Sequence, residues 1–251
     1  MENIYQIKEL SDFPNLIHGI SMSSFGNMSF NWGSEEVLGN RKSFLTSLGI
    51  DINSCISTKL ENGNNITIVG KEQLGVRMFD KAESIIGDGL ITKEKDIFLF
   101  MPVADCLPCI IFDQKQEILA LLHLSWMSTE AKLCEKAIKM FLLEYNSNPD
   151  DIFVAFGPGI HKESHIFNNP IQKTLPGWEN FWQDLPDGNT SVDVLGYNTW
   201  QCQNLGIAPN HIFSSEIDTA KDERFFSHFR DTKNNIPEKR FACVVGFRKS
   251  P

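Results

Sequence analysis

The chain has 251 residues, with 23 Lys and Arg against 32 Asp and Glu, and its formal charge of −9 argues against nonspecific binding to nucleic acid or an anionic membrane. Hydrophobic residues make up 41% and charged residues 22%, so the chain buries a core and is not disordered, and residues 1–251 are read as one domain. Six cysteines are too few for a disulfide scaffold.

Residues 1–16 carry Glu2, Lys8, Glu9 and Asp12 with no apolar run, so no secretory or transit segment is read there. Next, Ser34-Glu35-Glu36 ahead of Val37, Leu38, Phe44, Leu45 and Leu48 predicts a capped, acid-first helix that Gly49 stops. Residues 66–69 form a short β-branched run ended by Gly70.

The most apolar stretch, residues 97–112, is broken by Pro102, Asp105 and Pro108 and cannot span a bilayer as a helix. It predicts strands over 97–101 and 108–112, followed by a turn at 113–116 and a strand over 118–124. Ser128 or Thr129 then caps a helix that runs to about Tyr145, with Leu133, Ala137 and Phe141 on one face. Residues 152–156 are a strand closed by Gly157-Pro158-Gly159. Extended pieces at 192–195, 212–214 and 241–247 and a helix at 199–205 complete the chain. Strands and helices interleave without a βαβ rhythm or a G-x-G-x-x-G, which favours a layered α/β (α+β) fold. A cytoplasmic protein with reduced thiols is expected.

Ala104-Asp105-Cys106-Leu107-Pro108-Cys109 sets polar groups in the most apolar part of the chain, where an unpaired carboxylate costs several kcal/mol. His123 interrupts a second apolar strand at its far end. Two strands joined by a short turn bring such ends together, so Asp105, Cys106 and His123 are candidate catalytic residues. Cys106 is then a nucleophile or a metal ligand, and His123 a base or a ligand. A buried cysteine or histidine in such a run ordinarily packs, which is the reading for the other five cysteines. Cys106-x-x-Cys109 matches a redox motif, but its second half is strand-like rather than helical. His161-x-x-x-His165 has ligand spacing in a loop and reads as two surface histidines.

Val103-Ala104-Asp105-Cys106-Leu107-Pro108 and His123-Leu124-Ser125-Trp126-Met127-Ser128 resemble the A-D-C-L-P and H-A-G-W-R-G blocks of the laccase-domain family, also called multicopper polyphenol oxidoreductase or YfiH-like. His18-Gly19-Ile20-Ser21, Asn31 in Ser29-Phe30-Asn31-Trp32-Gly33, Val37 with Asn40-Arg41, Gly87-Asp88-Gly89-Leu90-Ile91-Thr92, Gly157-Pro158-Gly159-Ile160 and residues 225–231 with Arg240-Phe241-Ala242 match further blocks in order. The resemblance implies an α-β-β-α sandwich and purine nucleoside phosphorolysis or adenosine deamination. It also implies a zinc or catalytic trio in which Cys106 and His123 supply two members.

The third member, a histidine of a Q-V-H-G block, is expected at Gly75 of Gln73-Leu74-Gly75-Val76, where no side chain exists. Family arginines fall on Ser23 and Met127, and a G-G-V-S segment is shortened to Phe25-Gly26-Asn27-Met28. Zinc would need a third ligand, with His165 or His228 available, and six histidines do not suit a multicopper centre. The resemblance places Asn31, Arg41 and Arg230 at a substrate, a small molecule of nucleoside type. Two other functions stay open: a Cys–His amide hydrolase of peptidoglycan-precursor type, and a catalytically degenerate member that binds a ligand or an unidentified protein partner.

Overall fold

The computed structural model describes residues 3–33, 35–81 and 85–249. Its strands are β1 Ile4–Tyr5, β2 Leu16–Ser21, β3 Cys55–Ile56, β4 Ile66–Ile68, β5 Gly89–Thr92, β6 Phe98–Val103, β7 Leu107–Asp113, β8 Ile118–Leu124, β9 Ile152–Phe156, β10 Ile166–Phe167, β11 Trp182–Asp184, β12 Thr190–Val192, β13 Ile212–Ser214 and β14 Phe241–Phe247. The α-helices are α1 Glu35–Ser47, α2 Trp126–Glu130, α3 Leu133–Glu144, α4 Val194–Asn204 and α5 His228–Lys233. Among the described residues no helix is long and apolar enough to cross a membrane.

Two sheets stack face to face, one ordered β1-β2-β14-β6-β3 and one ordered β13-β9-β7-β8-β5-β4. Period-2 alternation decides what each face buries. Leu99 and Met101 of β6 with Cys243 and Val245 of β14 meet Ile110, Phe112, Leu119 and Leu121 of β7 and β8 between the sheets. The alternate residues Phe98, Phe100, Ala242 and Val244 pack under Phe44 and Leu45 of α1. Cys109, Ile111, Ala120 and Leu122 pack under α3 and α4. The result is the α-β-β-α sandwich with a mixed α+β composition. A third sheet, β10-β12-β11, is appended.

Several elements differ from expectation. The helix predicted from Ser128 onward is two helices. Ser125 caps α2 in a capping box with Ser128, and Lys132, at φ 61, breaks the chain before α3 begins. Residues 192–195 are not one extended piece, because Asp193 accepts from the Gly196 amide and caps α4 from Val194. The predicted Ser34 cap lies outside the described residues, while Glu35 and Glu36 do open α1.

Candidate active site

The β7–β8 hairpin pairs Leu107 with Leu124 and Pro108 with His123, which brings the turn holding Cys106 beside the end of β8. Alternation puts His123 on the face of Leu119 and Leu121, at the end of the layer between the sheets. On β5, paired Gly89 to Leu122, the same rule puts Asp88 on the face of Leu90, next to His123. Asp88, fully buried, lies with Oδ1 2.7 Å from His123 Nδ1, and its backbone oxygen accepts the His123 amide at 2.8 Å. Three further amides, of Glu61, Asn62 and Gly63, donate to the same carboxylate.

His123 is 6% exposed. Burial pulls its pKa down, but the facing sulfur of Cys106 in its charged form and the Asp88 carboxylate outweigh this and raise it to about 9. Cys106, His123 and Asp88 therefore form a line in which the carboxylate fixes the imidazole and the other ring nitrogen is left for the thiol. Asp88 was missed as a site residue in the sequence reading. The signal was an aspartate between two glycines at the mouth of an apolar strand, within a segment read only for its resemblance.

Cys106 is the one cysteine of the six that is part-exposed; the others are buried and unpaired. Its turn is held from three sides. Asp105, at φ 68 and 7% exposed, accepts from Thr219 Oγ1 at 2.6 Å and from the Phe229 amide at 2.7 Å, and its carbonyl accepts from Ile160 N at 2.8 Å. Gly157-Pro158-Gly159 backs the turn so closely that a Cβ on Gly159 would stand 2.5 Å from Leu107 Cδ2 and 3.0 Å from Asp105 O. Both Asp105 oxygens are thus engaged in holding the turn, although the residue does border the cavity.

That cavity measures about 890 Å³ and is bordered by Cys106, His123, Asn31, Arg41, Ser57 and Asn62, with a rim of Phe30, Trp32, Trp126, Met127, Phe167 and Phe229. Arg41 sits on the buried face of α1, 3% exposed. It donates to Met28 O at 2.8 Å, Arg77 O at 2.6 Å and Met78 O at 3.3 Å, between the rings of Phe30 and Phe100. Burial and Arg77 weigh against its charge, and the three carbonyls hold it.

Arg230 does not border the cavity. Its guanidinium donates to the carbonyls of Thr219, Asp222 and Phe225 and to Asp231. One turn of α5 separates the two faces, so His228, Phe229, Thr232 and Lys233 border the cavity while Arg230 ties down the preceding loop. Gly75 also lies outside the cavity, in a turn at φ 81, and the segment after β3 brings Ser57 and Thr58 there. His165 and His228 both border it. His161 does not, so the H-x-x-x-H pair is split between two surfaces.

A resident zinc needs three protein ligands. Among the described residues no three His, Cys, Asp or Glu side chains converge to hold a metal, and the donors at the centre are Cys106 and His123 alone. Ser57 and Thr58, which follow β3, offer hydroxyls. Among the described residues the donors at the centre fall one short of the three protein ligands of a resident zinc.

The family described as multi-copper polyphenol oxidoreductase laccase matches residues 17–247. The chain belongs to this family. It is 27% identical over 214 residues to the purine nucleoside phosphorylase YlmD of Geobacillus stearothermophilus, covering 82% of this chain and 78% of that one. It is 20% identical over 236 residues to a purine nucleoside phosphorylase of Bacteroides thetaiotaomicron, covering 88% and 86%. The crystal structure of Bacillus licheniformis hypothetical protein YfiH superposes with a TM-score of 0.87 at 21% identity over 99% of this chain and 97% of that one, a likeness of fold.

Proposed function

We propose that the chain is an enzyme of purine nucleoside metabolism that cleaves the base from the ribose by phosphorolysis, with Cys106, His123 and Asp88 at its centre. The observation that supports this most is the Asp88–His123–Cys106 line at the wall of an aromatic-rimmed cavity large enough for a nucleoside. Names of relatives point to the same chemistry.

In the reaction a phosphate oxygen bonds to C1′ while the bond from C1′ to the base nitrogen breaks, and the electron pair leaves on the base. His123, protonated at neutral pH, gives its proton to a purine nitrogen, and Asp88 holds the imidazole in place as its charge changes. Cys106 faces the imidazole at the cavity wall, on the side left open by Asp88. Arg41 and Asn31 shape the binding wall, and Asp105 keeps Cys106 in position.

Incubation with inosine or adenosine, with and without phosphate, tests the proposal through the appearance of hypoxanthine, adenine and ribose 1-phosphate. Phosphate-dependent release that Cys106→Ala abolishes is the expected result. Phosphate-independent conversion of adenosine to inosine would instead make the centre a deaminase. No turnover of either nucleoside overturns both and leaves a ligand-binding member.

The same line supports a second reading, amide hydrolysis by a Cys106 thiolate, because the third member orders the imidazole as an acyl-transfer dyad requires. Rapid alkylation of Cys106 by iodoacetamide at mildly acidic pH favours it, and reactivity equal to that of free cysteine counts against it.

A further inference from the structure

The protein is acidic overall at −9, yet the fixed charges bordering the cavity are Arg41, Arg77, Lys233 and Arg240 against one carboxylate, Asp105. That carboxylate is turned to Thr219 and the Phe229 amide. Two of the cations sit at the mouth, each on an aromatic face. The Arg240 guanidinium lies 4.7 Å from the ring centre of Trp32, and the Lys233 ammonium 6.0 Å from that of Phe229. The rings are 47% and 37% exposed, so they form the entrance rather than the core.

Arg240 shares Glu238 with His228, at 2.8 and 2.9 Å, which fixes its guanidinium and offsets part of its charge. Among the described residues no carboxylate pairs with Lys233. A cation held against a ring loses some of its water and gains from a multivalent anion placed beside it. A cavity bordered by four cations and one engaged carboxylate, on a protein that is acidic overall, favours an anionic ligand.

We propose that Lys233 and Arg240 form a phosphoryl-binding subsite at the mouth of the cavity. The inference rests on the nucleoside reading and deepens it. Its ligand is a phosphoryl group from one of two sources, the free phosphate that attacks the ribose or the 5′-phosphate of a nucleotide whose base passes between the rim rings.

The test uses the full chain carrying Cys106→Ala, so that binding is read without turnover, with inorganic phosphate, inosine and inosine 5′-monophosphate as calorimetric probes. Lys233→Ala, Arg240→Lys and, as a control outside the cavity lining, Lys139→Ala are added to it. Lys233→Ala is expected to weaken monophosphate binding about tenfold or more and leave inosine binding unchanged, as loss of one charge-assisted contact requires. Weakening confined to inorganic phosphate assigns the subsite to the free anion. Weakening of the monophosphate beyond that of phosphate assigns it to the nucleotide.

Changes below about twofold for all three probes overturn the proposal, as does equal weakening of inosine and its monophosphate. Absence of any binding by the parent also overturns it. If the unmutated protein turns over no nucleoside while monophosphate binding still depends on Lys233, the nucleoside phosphorylase reading fails and the subsite stands.

Discussion

The Asp88 carboxylate stands 2.7 Å from Nδ1 of His123 and also collects three backbone amides from residues 61–63. One side chain thereby sets the tautomer of the imidazole and ties the loop beside the cavity. Asp88→Asn keeps the size and removes the charge. It is expected to cut turnover about 10²-fold or more, in the range of general acid–base catalysis. The His123 resonance, followed by NMR, should titrate well below its parent pH. An unchanged His123 titration would remove Asp88 from the centre.

His123 has a folded pKa of about 9 against 6.5 unfolded. A raised base contributes stability that is fully present below pH 6.5 and is lost as pH rises through about 9. The size is on the order of 3 kcal/mol for this buried group. Urea unfolding between pH 6 and 9.5 should show the loss, and His123→Gln should flatten it.

His18 has the opposite sign. It is buried, its Nε2 accepts the Ile7 amide, and burial lowers its pKa to about 4. Its stabilisation is present above pH 6.5 and disappears as pH falls toward 4, again on the order of 3 kcal/mol. His18→Gln should weaken the acid sensitivity of the melting temperature over that interval. It should leave the alkaline limb unchanged.

The turn of Cys106 separates structure from chemistry. Gly159→Ala must displace Leu107 or the Asp105 carbonyl, and it is expected to cost about 1–3 kcal/mol and most of the activity. Thr219→Val removes one hydrogen bond to Asp105 and should cost about 1 kcal/mol. If both variants keep full activity, the held turn is not needed for function.

Arg230→Gln is expected to lower stability by about 1–3 kcal/mol through the carbonyls it leaves unpaired, with KM unchanged, because the side chain faces the 219–225 loop. Arg41→Met orphans three carbonyls and also alters the cavity wall, so stability and KM should both change. A KM effect for Arg230→Gln without a stability effect would reverse that assignment.

The nearness of Cys106 to His123 was legible because a short turn between two apolar runs fixes a hairpin and therefore which ends meet, while the residues alone gave only a layered α+β class and the α-β-β-α order came from the family resemblance. Face was not legible. Ile118–Leu124 is buried throughout, so its sequence does not alternate, and only the sheet on each side decides where His123 points. Asp88 escaped for the same reason, since its role depends on the register of β5 against β8. Arg230 was misplaced because position along a six-residue helix decides whether a side chain meets the cavity or the loop behind it. Gly75 followed a gapless match to a block, and its turn lies outside the cavity. The break at Lys132 is a left-handed residue for which the sequence offers no glycine or asparagine as a sign.

The strand latest in the chain, β14, lies at the middle of its sheet, with β2 on one side and β6 on the other. Until residues 241–247 leave the ribosome, β1-β2 and β6-β3 are two separate pairs with nothing to join them, and the rim that begins at Arg240 has nothing to anchor it. A chain cut short before Phe241 therefore exposes two apolar sheet edges at once and becomes a substrate for proteases and chaperones rather than a weak enzyme.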